Sequence, residues 1–183
     1  MPIANTQELL LHDLGELYDA EHRFLEGQVQ MVHRATDSKL QRSIENHIYQ
    51  TRQHIRNLEQ FFRELGQEPR RETSEVARGL VSEAREGIEE VQSAALRDCV
   101  IDAAVIKVEH LEIASYRGVI VGARLMMGQS MVVDNLLETN LRQEEETAQI
   151  AEQSAEELLL EAMQAEQPEG EGLLDKIKRL KDR

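Results

Sequence analysis

Apolar residues return every third or fourth position along most of the chain, the period of helices that bury one face. Asn5 or Thr6 caps the first such segment, which carries Leu10, Leu14, Leu17, Tyr18, Phe24, Leu25, Val29 and Val32 on one stripe. Asp37 and Ser38 mark a turn and cap. The second segment then spaces Leu40, Ile44, His47, Ile48, Thr51, His54, Ile55, Leu58, Phe61, Phe62 and Leu65 in the same way, stopping near Gly66 with Pro69 just beyond. From Thr73 to about Val91 a weaker stripe of Val76, Leu80, Val81, Ala84, Ile88 and Val91 predicts a shorter helix inside a long connection. A third long helix, from about Ala94 to Met126, is expected to bury Leu96, Val100, Ala104, Val108, Leu111, Ser115, Val119 and Ala123. The fourth, from about Ser130 to Met163, runs through Val133, Leu137, Asn140, Leu141, Glu144, Ala148, Ala151 and Ala155. The expectation is an all-α protein: a four-helix bundle over residues 1–165 with an additional shorter helix in the long crossover.

After Met163 the stretch Gln167-Pro168-Glu169-Gly170-Glu171-Gly172 breaks the period and reads as a flexible linker within residues 166–183. Leu173, Leu174, Ile177 and Leu180 then form one face of a tail helix whose other face carries Lys176, Lys178, Arg179, Lys181 and Arg183. The tail, residues 173–183, is expected to dock on its own bundle, a sister subunit or another protein.

Composition agrees with helix, since the chain has only three prolines in 183 residues. The formal charge of −14 argues against nucleic acid as the main partner and favours cations. The lone Cys99 supports no disulfide framework, and no apolar run reaches the roughly 18 residues of a membrane span. A cytoplasmic, reducing setting is the expectation.

Against this background Glu21, Glu109, Glu112 and Glu144 stand out, because each falls where the helical period demands a core residue. Carboxylates buried without partners are strongly unfavourable, so a group converging from separate helices needs cations, protons or donors between its members. Dinuclear sites in bundles draw one carboxylate from each of two helices and a pair one turn apart from the others. The candidates here are Glu21, Gln50 with His54, Glu109 with Glu112, and Glu144, around iron or manganese. Taken alone, His47 and His54 each read as a hydrogen-bonded core histidine. His110, next to Glu109, points about 100° away and suits an outer or surface role. Glu145 and Glu146 read as a solvated run, and Cys99 as an inert buried thiol.

The strings Leu17-Tyr18-Asp19-Ala20-Glu21, Leu96-Arg97-Asp98 and Lys107-Val108-Glu109-His110-Leu111-Glu112-Ile113-Ala114-Ser115-Tyr116 resemble the YciF-like family of ferritin-like stress proteins. So does the pattern His47-Ile48, Thr51, His54 and Leu58-Glu59-Gln60, and the likeness runs from about residue 6 to 160. It implies a homodimeric ferritin-like bundle with a dinuclear metal site. Glu109-x-x-Glu112 also resembles the third-helix ligand pair of rubrerythrins, which reduce peroxide. Members of the family usually carry glutamate at position 50 and aspartate at 148, where this chain has Gln50 and Ala148. A neutral amide is a poor bridging ligand, which leaves His54 as the compensating nitrogen donor. The leading expectation is a stress-response protein that binds iron or manganese and reacts with peroxide or oxygen, with Tyr18 or Tyr116 as a hydrogen-bonding or redox neighbour. The rival is a non-catalytic interaction bundle with a degraded site, acting through its basic tail.

Overall fold

The computed structural model describes residues 3–128 and 130–166. It contains α1 (Thr6–Val32), α2 (Ser38–Glu64), α3 (Glu75–Glu90), α4 (Ala94–Met127) and α5 (Glu138–Ala165). Four of these begin on a side-chain cap. Asn5 accepts from Glu8 N–H, Asp37 from Lys39 and Leu40, Ser74 from Ala77, and Ser93 from Leu96. The second helix ends as its sequence demands: Gly66 takes φ 69°, which brings its N–H to Arg63 O and Gln67 N–H to Phe62 O, both at 2.9 Å. A wider turn over Val133–Leu137 leads into α5, and there Glu138 N–H reaches back five residues to Val133 O. One extra residue in a turn rotates everything after it by about 100°. The rotation leaves Asn140 and Glu144 buried.

The order of the helices follows from two tethers. The Asp98 carboxylate, near the start of α4, accepts from Thr36 N–H, Thr36 Oγ1 and Asp37 N–H at 2.6–2.9 Å, and Lys39 reaches Glu157 late in α5 at 2.5 Å. Helices α2 and α4 therefore start at one end of the bundle, and α1 and α5 finish there. The α3 helix, about 24 Å long at 1.5 Å per residue, carries the chain back along the outside of α1 and α4 between the two hairpins. To reach it the connection crosses α1 at Gly15, whose carbonyl accepts from Glu72 N–H at 3.1 Å. A Cβ on Gly15 would lie 2.7 Å from Glu72 Cγ and 3.3 Å from Arg70 O, so glycine is needed for the close approach. Asp19 closes the same junction by accepting from Arg23 at 2.5 Å, Arg71 at 2.8 Å and Ser74 N–H at 3.0 Å.

Two apolar layers hold the helices together. One packs Leu10, Leu14, Leu17, Leu58, Phe61 and Leu137; the other packs Met31, Leu40, Ile44, Ile101 and Leu158. A belt of buried polar residues lies between them along the chain, including Glu21, His54, Glu109 and Glu144.

The ferritin-like bundle with its crossover helix is as the sequence predicts. The buried face of α4 is only partly so: Ala104, Val108, Val119 and Ala123 are buried as expected. Asp98, Ile101, Asp102, Val105, Glu109, Glu112 and Tyr116 are buried there, while Leu96, Val100, Leu111 and Ser115 are only half-buried. The reason is that α3 covers a second side of α4, so its apolar residues spread over more than one stripe. Val29 and Val76, expected inside, are 37% and 60% exposed, and Cys99 is half-buried rather than buried. No helix among the described residues is long and apolar enough to cross a membrane. The tail helix expected at residues 173–183 lies outside the described residues.

Candidate metal centre

Glu21 on α1, His47 and His54 on α2, Glu109 and Glu112 on α4, and Glu144 on α5 converge in the polar belt, each at most 2% exposed. One ligand atom each from His47, Glu109, Glu112 and Glu144 lie within 4.8 Å of one another, and so do those of Glu21, His54 and Glu144. Glu144 belongs to both sets and spans them. His47 Nε2 approaches Glu109 Oε1 at 3.0 Å and Glu144 Oε2 at 3.6 Å, while His54 Nδ1 approaches Glu144 Oε1 at 2.8 Å and Glu21 Oε1 at 3.4 Å. Distance alone makes these contacts resemble hydrogen bonds, yet none is aligned as one. Both oxygens of Glu109 and of Glu144, Glu112 Oε1, Glu21 Oε2, His47 Nε2 and His54 Nδ1 are all buried without a directed partner. Groups that crowd together without facing one another are aimed at the space between them.

The outer atoms of these side chains, by contrast, are satisfied. His54 Nε2 meets Gln143 Oε1 at 2.8 Å, and because an amide oxygen only accepts, that nitrogen carries the proton in the neutral ring and leaves Nδ1 as the lone pair facing inward. His47 Nδ1 meets Gln50 Oε1 and Thr147 Oγ1, each at 3.3 Å, which likewise turns Nε2 inward. The Tyr116 hydroxyl donates to Glu21 Oε1 and accepts from Asn140 Nδ2 at 2.9 Å, and Asn57 Nδ2 donates to Asn140 Oδ1 at 2.7 Å.

Burial dominates the electrostatics. It raises the Glu112 carboxyl well above its ordinary value, helped by Glu144, Glu21 and Glu109, and it raises Glu21 despite His54. Burial lifts Glu109 to about 8, against a smaller lowering by the neighbouring Glu144 carboxyl; burial and Glu109 lift Glu144 to about 7. For His54 burial works downward, but the Glu21 and Glu144 carboxylates overcome it and hold the imidazole at about 11. Tyr116 is pushed far up by burial and by Glu21 and Glu144. Asp19, two residues before Glu21, shows the contrast: burial opposes its charge, yet Arg23, Ser74 N–H and Arg71 hold it below the ordinary value. It has its arginines already, whereas the converging glutamates have only the two histidines beside them.

Of the residues singled out from sequence, Glu21, His54, Glu109, Glu112 and Glu144 come together. Gln50 does not enter the converging set but stands behind His47. His47, which reads from sequence as a core histidine, joins the set instead, beside Glu109, Glu112 and Glu144. Its position seven residues before His54, on the same face, is the one signal that could have marked it. Tyr116 lies against the site, whereas Tyr18 bonds Glu59 at 3.0 Å and packs on Phe62. His110 is exposed, 2.7 Å from Glu152, and Glu145 and Glu146 are exposed, as expected.

Residues 5–164 match the family DUF892, a domain of unknown function, and the chain belongs to it. It is 29% identical over 117 residues to Protein YciF of Escherichia coli strain K12, covering 63% of this chain and 70% of the relative. The crystal structure of the E. coli stress protein YciF superposes with a TM-score of 0.80 at 25% identity, over 86% of this chain and 98% of that one. YcfI of Rhodopseudomonas palustris superposes with a TM-score of 0.78 at 32% identity, over 82% and 94%.

Proposed function

We propose that this member of the family binds two divalent metal ions, iron or manganese, in the polar belt, and that the loaded centre reacts with peroxide or oxygen as part of a stress response. The single observation that carries the reading is the set of buried inward-facing atoms without directed partners on Glu21, Glu109, Glu112, Glu144, His47 and His54. Charge supports it. Four carboxylates balance two divalent cations, with both imidazoles neutral. Oxygen and imidazole donors suit iron and manganese. Glu21 and His54 would hold one ion, His47, Glu109 and Glu112 the other, with Glu144 reaching both. Once bound, the ions supply the electrons that reduce an O–O bond.

The chain's own residues do the rest. Gln143, and Gln50 with Thr147, hold the two imidazoles with a lone pair turned inward. Tyr116 and Asn140 fix the angle of the Glu21 carboxylate and place a phenol hydrogen beside it. The apolar layers above and below keep bulk water away. A homodimer in the cytoplasm, the setting that the family likeness implies, belongs to the same proposal and is tested by size measurement in solution.

The deciding experiment is elemental analysis after anaerobic reloading with ferrous iron or manganese. Close to two ions per chain is the expected result. Near zero would remove the metal reading and favour an interaction bundle.

A further inference from the structure

A cavity of about 120 Å³ runs between α1, α3 and α4, and its walls include Phe24, Leu80, Val81, Val105 and Val108. That is several times the space one water requires. Gln30, Arg34, Arg85 and Glu89, all exposed, stand at its rim, and Glu109 of the candidate centre forms part of its lining. Gln28 lines it too. That residue is 2% exposed, its Oε1 accepts from Thr51 Oγ1 at 3.1 Å, and its Nε2 is buried without a partner. Turning the amide over would leave an acceptor rather than a donor unpaired on the side of the carboxylates, so electrostatics favour the N–H as the unpaired group. Thr51 sits between His47 and His54 on α2, which ties the angle of this amide to the ligand-bearing face.

We propose that this cavity is the docking pocket and access path for a hydroperoxide, the –OOH group accepting from Gln28 Nε2 and donating to Glu109; this rests on the metal reading above. The chemistry selects the ligand. Inside the charged rim the apolar walls disfavour an ion, and the two buried polar groups, Gln28 and Glu109, offer one donor and one acceptor, the complement of a neutral O–O–H group. Gly27 keeps the passage open: a Cβ there meets Val81 only at 3.7 Å, so a larger side chain would grow into the cavity without a backbone clash.

The test is an NMR titration of the metal-free full chain with tert-butyl hydroperoxide and, separately, hydrogen peroxide. It follows the Gln28 side-chain amide and the Val81 and Val105 methyls. The same titration is run on Gly27→Leu, Val81→Phe and Gln28→Leu, each checked for an unchanged fold by its backbone spectrum. Saturable shifts at these groups are expected in the wild type, with binding weakened at least about fivefold in Gln28→Leu and in whichever cavity-filling variant keeps its fold. Shifts with both ligands assign the pocket to the –OOH group itself, and shifts with only one name which hydroperoxide it takes. No saturable shift with either ligand overturns the proposal, as does binding unchanged in the folded variants. Because the titration needs no metal, its failure in a protein that holds two ions sinks the pocket alone, and its success in a protein that holds none sinks the metal reading alone.

Discussion

Replacing Glu112 by glutamine should stabilise the protein without metal and weaken it with metal. Glu112 is 1% exposed, its Oε1 has no partner, and burial with three neighbouring carboxylates raises its pKa well above 4.5. A pKa raised on folding means that the folded state binds the proton more tightly. Stability is then fully present below the unfolded value and is lost as pH rises towards the folded one. Near pH 5 the carboxyl is protonated in the fold, and the near-isosteric amide changes little. At pH 8 the unfolded chain releases the proton freely, and the glutamate costs the fold about 1–3 kcal/mol, the range for a buried group left unsatisfied. The amide removes that cost, which in a chain of this size corresponds to roughly 2–12 °C in Tm. With metal at about a hundred times its Kd the wild type gains about 2.7 kcal/mol, most of which the variant should forgo. Calorimetry at pH 5 and pH 8, with and without manganese, reads all four conditions, and Glu146→Gln at an exposed position serves as the control. A Glu112→Gln protein that melts below wild type at pH 8 without metal, or that keeps the full metal-induced rise, refutes the reasoning.

The metal-free wild type should lose stability as pH rises from about 5 to 8, because Glu144 at about 7 and Glu109 at about 8 both sit above the ordinary carboxylate value. Manganese should abolish that slope in urea titrations across the range; a slope of the opposite sign without metal would contradict the burial argument. Tyr116→Phe removes the donor to Glu21 and the acceptor for Asn140, and is expected to cost about 1–3 kcal/mol by urea unfolding of the metal-free protein at pH 7. Gln50→Leu frees His47 Nδ1 from its amide partner and should weaken metal affinity about 10- to 100-fold while the fold survives. Equal weakening by the surface change Glu145→Gln would show that Gln50 has no special part in orienting the ring.

How much of this was legible beforehand depends on the helix in question. Helix α2 has one broad apolar face, so its stripe from Leu40 to Phe62 could be read residue by residue, and its glycine stop at Gly66 as well. Helix α4 has two covered sides, and counting along it found Ala104, Val108, Val119 and Ala123 but missed Asp98, Ile101, Asp102 and Val105, even though Glu109 and Glu112 were recognised. Gln50, expected in the cluster, stands behind His47, and His47, read as a core histidine, lies in the cluster. The period establishes that His47, Thr51 and His54 share a face, but whether an imidazole on that face meets leucine or glutamate depends on what the opposing helices present.

From the chain alone came the helix count, the crossover, and the set of carboxylates too regularly placed on apolar faces to be surface residues. Periodicity records which residues share a side of one helix, and hydrophobic burial turns that directly into a bundle. The rotation of each helix about its own axis was decided only in three dimensions. It depends on the extra residue in the Val133–Leu137 turn, the cover that α3 lays over α4, and the tether from Asp98 to the α1–α2 turn. Those rotations brought Glu144 within reach of both histidines, set Gln50 and Gln143 behind them, and left Gln28 in the wall of a cavity that reaches Glu109. Contacts between residues far apart in sequence carry no local period, so only the packed fold could reveal them.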